Sequence, residues 1–337
     1  MTLQRAIPAD NYHCDAAGDF WFGPAGEEFA IAQNASCVSP GLAKSVVRVS
    51  GAEAESFLHG QLITNLKKLT LRRGSLSAWC TPQGRVSFLF YLVPEPHGYL
   101  LLVPASEATR LVQRLRMFVL RAKVNVEDVS GQIGVIGLSL PRANARPTWS
   151  AGLQSTRNAI SMLGDSLQAL CIDESARFLV WGELTTLISW WQHCELPRIG
   201  SAGWRLLDIT QGVTEITGSA ANAFLPQQLN LDLIEDVLAF DKGCYPGQEI
   251  VARLKYRGEV KSRLLHGRAN RALAPDARLK IRGTTHSAGQ ILSAVTLPSA
   301  ESHFLAVVDL SALQAPPEIE DSPTVDLQFE RPPYWLT

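Results

Sequence analysis

The sequence predicts a multidomain α+β protein that closes in a small all-β domain, and three observations carry that expectation. The chain has 337 residues, more than one hydrophobic core organises, so two or three domains are expected. Hydrophobic residues make up 46% and charged residues 19%, a globular composition with enough apolar material for real cores. Strand-like and helix-like runs mix as far as Gly258; beyond it only short strand-like runs follow, separated by Pro, Gly, Asp and Ser.

The elements follow in order. Ser45–Ser50 alternates as a strand, and Ser50-Gly51-Ala52-Glu53 spells a capping box that predicts a helix to about Asn65, with Phe57, Leu58 and Leu62 on one face. Ser75–Thr81 and Arg85–Val93 are strands around the turn Thr81-Pro82-Gln83-Gly84, and Tyr99–Val103 returns after a second turn. Leu111, Leu115 and Phe118 recur at helical spacing between Ser106 and about Leu120. Lys123–Val129 and Ile133–Leu138 are strands again, and Pro141–Ala151 is a polar, turn-rich loop. A strand at Arg177–Gly182 precedes a helix over Leu184–His193. Ser262–Ala269, Arg278–Arg282, Gly289–Val295, Phe304–Leu310 and Thr324–Phe329 then read as a small β-barrel or sandwich.

Composition narrows the function classes. A formal net charge of −1 makes the whole molecule no trap for nucleic acid or anionic membrane. The first twenty residues carry Asp10, Asp15 and Asp19 without the basic start and apolar middle of a secretory signal. The longest apolar runs, Ser87–Val93 and Tyr99–Val103, are too short to cross a bilayer as helices, so a cytoplasmic location with no membrane partner is expected. Six cysteines (Cys14, Cys37, Cys80, Cys171, Cys194, Cys244) form no C-x-x-C pair and have no histidine at ligand spacing. No metal site is therefore expected, and most of the thiols should be free and buried.

One stretch, Asp241 to Arg253, stands apart. Pro246 suits the first position of a helix, with Ile250, Val251 and Leu254 facing inward and Arg253, Lys255 and Arg257 near its end. Cys244 then precedes a helix N-terminus beside Lys242; both favour thiolate, which makes this the most reactive cysteine expected. Read from the residues alone, a packed small side chain is the other possibility, and no His or Asp can be paired with Cys244 for hydrolase chemistry.

Lys242-Gly243-Cys244-Tyr245-Pro246-Gly247-Gln248-Glu249 resembles, without a gap, the K-G-C-[YF]-x-G-Q-E signature of YgfZ-type proteins and their mitochondrial iron–sulfur assembly relatives. The likeness extends to Phe224-Leu225-Pro226-Gln227 with Asn230, to Val251-Ala252-Arg253 and to Tyr256-Arg257-Gly258. Gly51-Ala52-Glu53 leading to Gly60–Asn65, then Pro82–Arg85, resemble the family's N-terminal pattern, and Pro333-Tyr334 echoes its C-terminal end. The match covers roughly Val46 to Gly258.

The resemblance implies a three-domain ring related to the glycine-cleavage T-protein, with a C-terminal β-barrel and tetrahydrofolate in a central channel. The expected domains are 1–50 with about 131–240 (folate-binding, discontinuous), 51–130, and 241–337 with the signature helix and the barrel. It implies Trp204, Gln248, Glu249 and Arg253 as folate contacts, and Cys244, with Lys242, as the functional thiol. Trp204 would stack on a pterin or aminobenzoyl ring, while a second folate-associated tryptophan of some members is Lys44 here. Ser87 and Phe88 stand where the T-protein has paired aspartates, so the acid that would steer the folate nitrogen is missing. That favours an accessory protein for iron–sulfur enzymes or assembly proteins, including tRNA-modifying enzymes, over an aminomethyltransferase or demethylase. Arg253, Lys255, Arg257, Lys261, Arg263, Arg268 and Arg271, opposed by Glu259, leave three readings: direct tRNA contact, a solvated face, or a rim for the folate tail, the last two preferred.

Overall fold

The computed structural model describes residues 12–15, 18–40, 42–141, 146–314, 317–320, 322 and 324–335. Asp10 and part of the 141–151 loop lie outside the described residues. A short ribbon of β1 (His13–Cys14) and β2 (Phe20–Trp21) leads into α1 (Ala25–Asn34) and β3 (Cys37–Ser39). The next stretch holds β4 (Lys44–Ser50), α2 (Ala54–His59), β5 (Ser75–Cys80), β6 (Val86–Glu95), β7 (Gly98–Pro104), α3 (Ala108–Val119) and β8 (Asn125–Asp128). Then come β9 (Ile133–Ser139), β10 (Ile160–Leu163), β11 (Leu167–Cys171), β12 (Arg177–Glu183), α4 (Leu184–His193) and α5 (Ser201–Gln211). After α6 (Gln248–Arg257) follow β13 (Ser262–Ala269), β14 (Arg278–Lys280), β15 (Ser287–Thr296), β16 (Ser302–Asp309), β17 (Glu318–Ile319) and β18 (Leu327–Glu330).

Two five-stranded antiparallel sheets, ordered β10-β11-β12-β9-β3 and β5-β6-β7-β4-β8, face each other. Val46, Leu100 and Leu102 from one interleave with Val135, Leu170 and Leu179 from the other. The outer face of the second sheet packs Val47, Leu101 and Val103 against Leu58 of α2 and Leu111 and Leu115 of α3. The outer face of the first sheet meets Leu187 and Trp191 of α4. Both faces of β4 and β7 are therefore covered, and β7 (Gly-Tyr-Leu-Leu-Leu-Val-Pro) is nearly continuous in apolar residues rather than alternating. The chain ends in a six-stranded antiparallel sheet, β17-β14-β15-β16-β13-β18, curled into a half-barrel. A further core cluster ties this sheet (Leu264, Leu305, Val307) to β5 and β6 (Ala78, Val86, Leu89) and to α5 (Leu206, Ile209).

Three local expectations are corrected. The capping box does not form: Ser50 stays in β4, and the Glu53 carboxylate accepts instead from the Lys123 backbone N–H at 2.7 Å. The helix it was to start is only Ala54–His59, followed by a single 3-10 turn at Leu66–Lys68. Pro246 is not the first residue of α6. Tyr245 to Gln248 make a turn closed by the Gln248 N–H on the Tyr245 carbonyl, 3.2 Å, with Gly247 at φ +80°. Pro then Gly at the two central positions is the type II arrangement, and it delays the helix to Gln248. The helix that carries Trp204, α5, had no counterpart in the sequence reading.

Candidate functional site

The signature loop is held by contacts to the two N-terminal motif segments. Lys242 Nζ donates to the carbonyls of His59 (2.5 Å), Leu62 (2.6 Å) and Thr64 (3.0 Å). Three acceptors match the three protons of an ammonium. Burial pulls this lysine down to about 8, so it remains charged at neutral pH. The same nitrogen lies 5.2 Å from the centroid of the Tyr245 ring. Tyr245 is buried, and its hydroxyl has no partner among the described residues.

Cys244 is exposed and free, four residues ahead of α6 rather than at its first turn. The ammonium expected to favour its thiolate is committed to the three carbonyls. Cys37, Cys80 and Cys171 are buried, with burial pushing each thiol up to about 12; Cys194 is half-buried and also raised by burial. Cys14 is exposed as well, so three of the six thiols are buried where most were expected to be. Gln248 is half-buried, with its amide 3.5 Å from the Lys242 carbonyl, while Glu249 and Arg253 are exposed on α6.

The other motif segments converge on this loop. Arg85 donates to the Ala223 carbonyl, and Val86 and Asn222 exchange backbone bonds with the 222–224 segment and β6. Gln227 Nε2 donates to the Val251 carbonyl of α6 at 2.8 Å. Asn230, at φ +60°, donates to the Leu264 carbonyl at 2.8 Å and lies 3.4 Å from the Tyr334 hydroxyl. That hydroxyl donates to the Gly212 carbonyl at 3.0 Å, joining the C-terminal motif to the end of α5.

A cavity of about 680 Å³ opens between the N-terminal ribbon, α5 and β15. Its walls include Phe20, Trp21, Phe29 and Trp204, with Lys44, Asp208 and Glu215 as charged lining. Trp204 is only 4% exposed, and its ring lies over Gly137 so closely that a Cβ there would fall 2.5 Å from it. The Arg177 guanidinium sits 5.2 Å from the Trp204 ring centroid, and binds Asp173 and Asp208 at 2.6 Å each. Burial opposes the charge on Arg177, and the two carboxylates outweigh it and raise its affinity for the proton. Burial pushes Asp208 up to about 6 against the pull of Arg177. Lys44 pairs with Glu215 in the same cavity.

Of the expected folate contacts, only Trp204 lines this cavity; Cys244, Lys242, Gln248, Glu249 and Arg253 do not. Asp173, Arg177 and Asp208 went unrecognised as a site in the sequence. The available signal was Arg177 at the head of the apolar run Phe178–Trp181, since an arginine drawn into a buried strand needs a carboxylate partner. A smaller groove of about 410 Å³ holds Ser87, Phe88, Arg110, Arg114 and Phe118, with Pro246 at its edge. There Ser87 Oγ bonds Asn222 at 2.5 Å, and the Arg110 guanidinium stacks 3.9 Å above the ring of Phe88. No group of three or more potential metal ligands occurs among the described residues, and no helix there is long and apolar enough to cross a membrane.

No family model matches the sequence. A protein of Colwellia psychrerythraea named tRNA-modifying protein YgfZ is 28% identical over 65% of this chain and 67% of its own length. One of the same name from Edwardsiella ictaluri is 29% identical over 78% of this chain and 81% of its own length. Among solved structures, the glycine cleavage system aminomethyltransferase T of Bartonella henselae superposes with a TM-score of 0.78. It covers 99% of this chain and 97% of that one at 13% identity, a likeness of fold. The chain is thus a homologue of the proteins named tRNA-modifying protein YgfZ, built on the aminomethyltransferase T fold.

Proposed function

We propose that the chain is a cytosolic tetrahydrofolate-binding accessory protein that supports assembly or repair of iron–sulfur clusters, including those of enzymes that modify tRNA. The observation that carries the folate part is the cavity itself. Its volume of about 680 Å³ falls within the range of small-molecule sites, and its walls combine aromatic rings with a few charged groups. Pterin and aminobenzoyl rings need flat apolar walls, and a pterin edge and a glutamyl tail need polar partners of opposite character. The tRNA part is supported by the name of the sequence relatives, and the cluster part by the signature around Cys244.

A second reading, a folate-dependent aminomethyl transferase or demethylase, is favoured by the fold shared with aminomethyltransferase T. Against it stands Ser87, which bonds Asn222 and carries no charge to steer a folate nitrogen. One experiment separates the readings. Purified protein is titrated with methylenetetrahydrofolate and an aminomethyl-lipoyl carrier while Trp fluorescence and product are followed together. Saturable quenching with no product above background is expected; sustained product formation favours the enzyme, and no quenching removes the folate reading. Cluster support is tested in cells that lack the protein, by assaying [4Fe–4S] enzymes and thiolated tRNA nucleosides with and without the wild-type chain.

A further inference from the structure

The end of α3 combines bare apolar side chains with an excess of positive charge. Met117, Phe118 and Leu120 are 64%, 38% and 88% exposed, three of the seven large hydrophobic side chains exposed among the described residues. Scattered exposed apolar side chains need no explanation, but a group rimmed by charge marks an interaction surface. From Glu107 to Lys123 the chain carries Arg110, Arg114, Arg116, Arg121 and Lys123 against one carboxylate, Glu107. That carboxylate is taken by Arg110, whose Nε lies 2.8 Å from it. Arg116 donates Nε and Nη2 to the Val126 carbonyl at 2.9 and 2.7 Å, a neutral acceptor that leaves its charge uncompensated. Arg114, Arg121 and Lys123 are exposed and form no ion pair among the described residues.

Met117 and Phe118 line the smaller groove together with Trp79, Phe88, Arg110 and Arg114. Aromatic rings hold both of these arginines in place. Arg110 stacks on Phe88, and the Arg114 guanidinium lies 5.7 Å from the Trp79 centroid and 5.5 Å from that of Phe118. A guanidinium fixed in this way presents its fork to a carboxylate at reduced entropic cost. Pro246, at one edge of the groove, stands two residues after the exposed Cys244.

We propose that this groove seats an acidic segment of a partner protein, with apolar side chains entering it and Asp or Glu side chains meeting Arg114 and Arg121. A nucleic acid would use the cations but gain nothing from the aliphatic Met117 and Leu120, since its phosphates seek charge and its bases seek flat rings. A membrane surface needs apolar groups that protrude, whereas the Trp79 and Phe88 rings are recessed and buried. A second copy of this chain would bring the same cations against these. An apolar anchor with an acidic rim satisfies the floor and the edge together. The occupant then lies beside the signature loop, whether or not the chain binds folate.

The test uses the full chain and three sets of fluorescein-labelled peptides of about fourteen residues, long enough for an amphipathic segment in a groove. In the first set Leu, Phe or Met anchors at helical spacing are flanked by Glu and Asp; in the second, Lys and Arg replace the acids; in the third, Ala replaces the anchors. Fluorescence anisotropy should show saturable binding of the first set alone, weakening as salt is raised. Arg114→Glu combined with Arg121→Glu should weaken it about tenfold or more, as reversal of rim charges does. Met117→Asp should abolish the advantage of the first set over the third. Arg271→Glu, an exposed charge reversal outside the groove, should leave binding unchanged. Thermal melts of each variant exclude a loss through unfolding. The proposal is overturned if the acidic set binds no better than the basic one, or if the groove variants bind it as the wild type does. It is overturned equally if oligouridine or phosphatidylglycerol vesicles bind through Arg114 and the acidic set does not.

Discussion

Gly247 of the signature loop lies directly against Gly84 of the β5–β6 turn, backbone on backbone. A Cβ on Gly247 would fall 2.4 Å from the Gly84 Cα and 2.5 Å from the Thr81 carbonyl oxygen. Both glycines also have positive φ, +80° and +76°, a region where other residues are strained. Two motifs more than 160 positions apart in the sequence thus meet as one contact, and Lys242 ties the same loop to the 59–64 segment through three carbonyls.

Gly247→Ala is expected to destabilise the chain by about 2–4 kcal/mol, combining a left-handed backbone with overpacking of a tight contact. Gly243→Ala is the internal control, because nothing lies within 4 Å of a Cβ at that position. Urea midpoints of the two variants measure the difference. Equal midpoints would mean that the loop lifts off the turn at little cost.

Lys242→Met should cost stability even though it lengthens no contact. It removes one buried donor from three carbonyls, and unsatisfied buried acceptors cost about 1–3 kcal/mol each where water cannot replace the donor. Thermal melts check this, and Lys242→Arg should not restore the wild-type value, because a planar fork does not reproduce the three directions of an ammonium. A melting temperature within a degree of the wild type would make Lys242 free for chemistry rather than fixed in structure.

The sheets were legible in the sequence where strands are long and covered on both faces. Ser262–Ala269 and the α4 helix Leu184–His193 fall where their residues placed them, and Ile133–Ser139 extends its expected span by one residue. Short-range turn chemistry was read well at Thr81–Gly84, whose Gly84 N–H does bond the Thr81 carbonyl at 2.8 Å. Capping was read poorly, because Glu53 is captured by Lys123, 70 positions away, and no local pattern reveals that competitor. The signature was visible as a motif, yet its Lys242 and Gly247 serve long-range contacts that spacing cannot show. The Asp208–Arg177–Asp173 chain escaped for the same reason: its members come from β12, the turn before it and α5.

Alkylation should order the cysteines by burial, with the half-buried Cys194 between the two extremes. At neutral pH, Cys244 and Cys14 are exposed and should be modified first by iodoacetamide, with Cys37, Cys80 and Cys171 last, their thiols buried and held protonated. Peptide mass spectrometry at timed intervals reads the order. Cys244→Ala and Cys244→Ser should melt within ~0.5 kcal/mol of the wild type, as exposed substitutions usually do. Under the proposed function, cells carrying only Cys244→Ser should lose activity of cluster-dependent enzymes, because serine keeps size and hydrogen bonding but not the thiolate. Full activity with serine would remove Cys244 from the functional set.

The C-terminal sheet should lose stability in mild acid through His266. This imidazole is 6% exposed on β13 and stacks on His303 of β16, with Nε2 and Nδ1 3.1 Å apart. Burial, then the neighbouring His303, pulls His266 down to about 4, while Glu330 at 3.9 Å opposes this and Arg268 adds to it. His303 is also lowered by burial, with Glu301 opposing. In the unfolded chain both rings take up protons near their ordinary value of about 6.5. The folded state, with its lowered affinity, binds fewer protons between about 6.5 and 4, so stability is full above that window and lost as pH falls through it. At about 1.4 kcal/mol per pH unit for one group, the loss amounts to roughly 3 kcal/mol for His266 by pH 4. Urea unfolding at pH 7.5, 6, 5 and 4.5 measures the slope, and His266→Gln should flatten it over this range. An unchanged slope in that variant would place the acid sensitivity elsewhere in the chain.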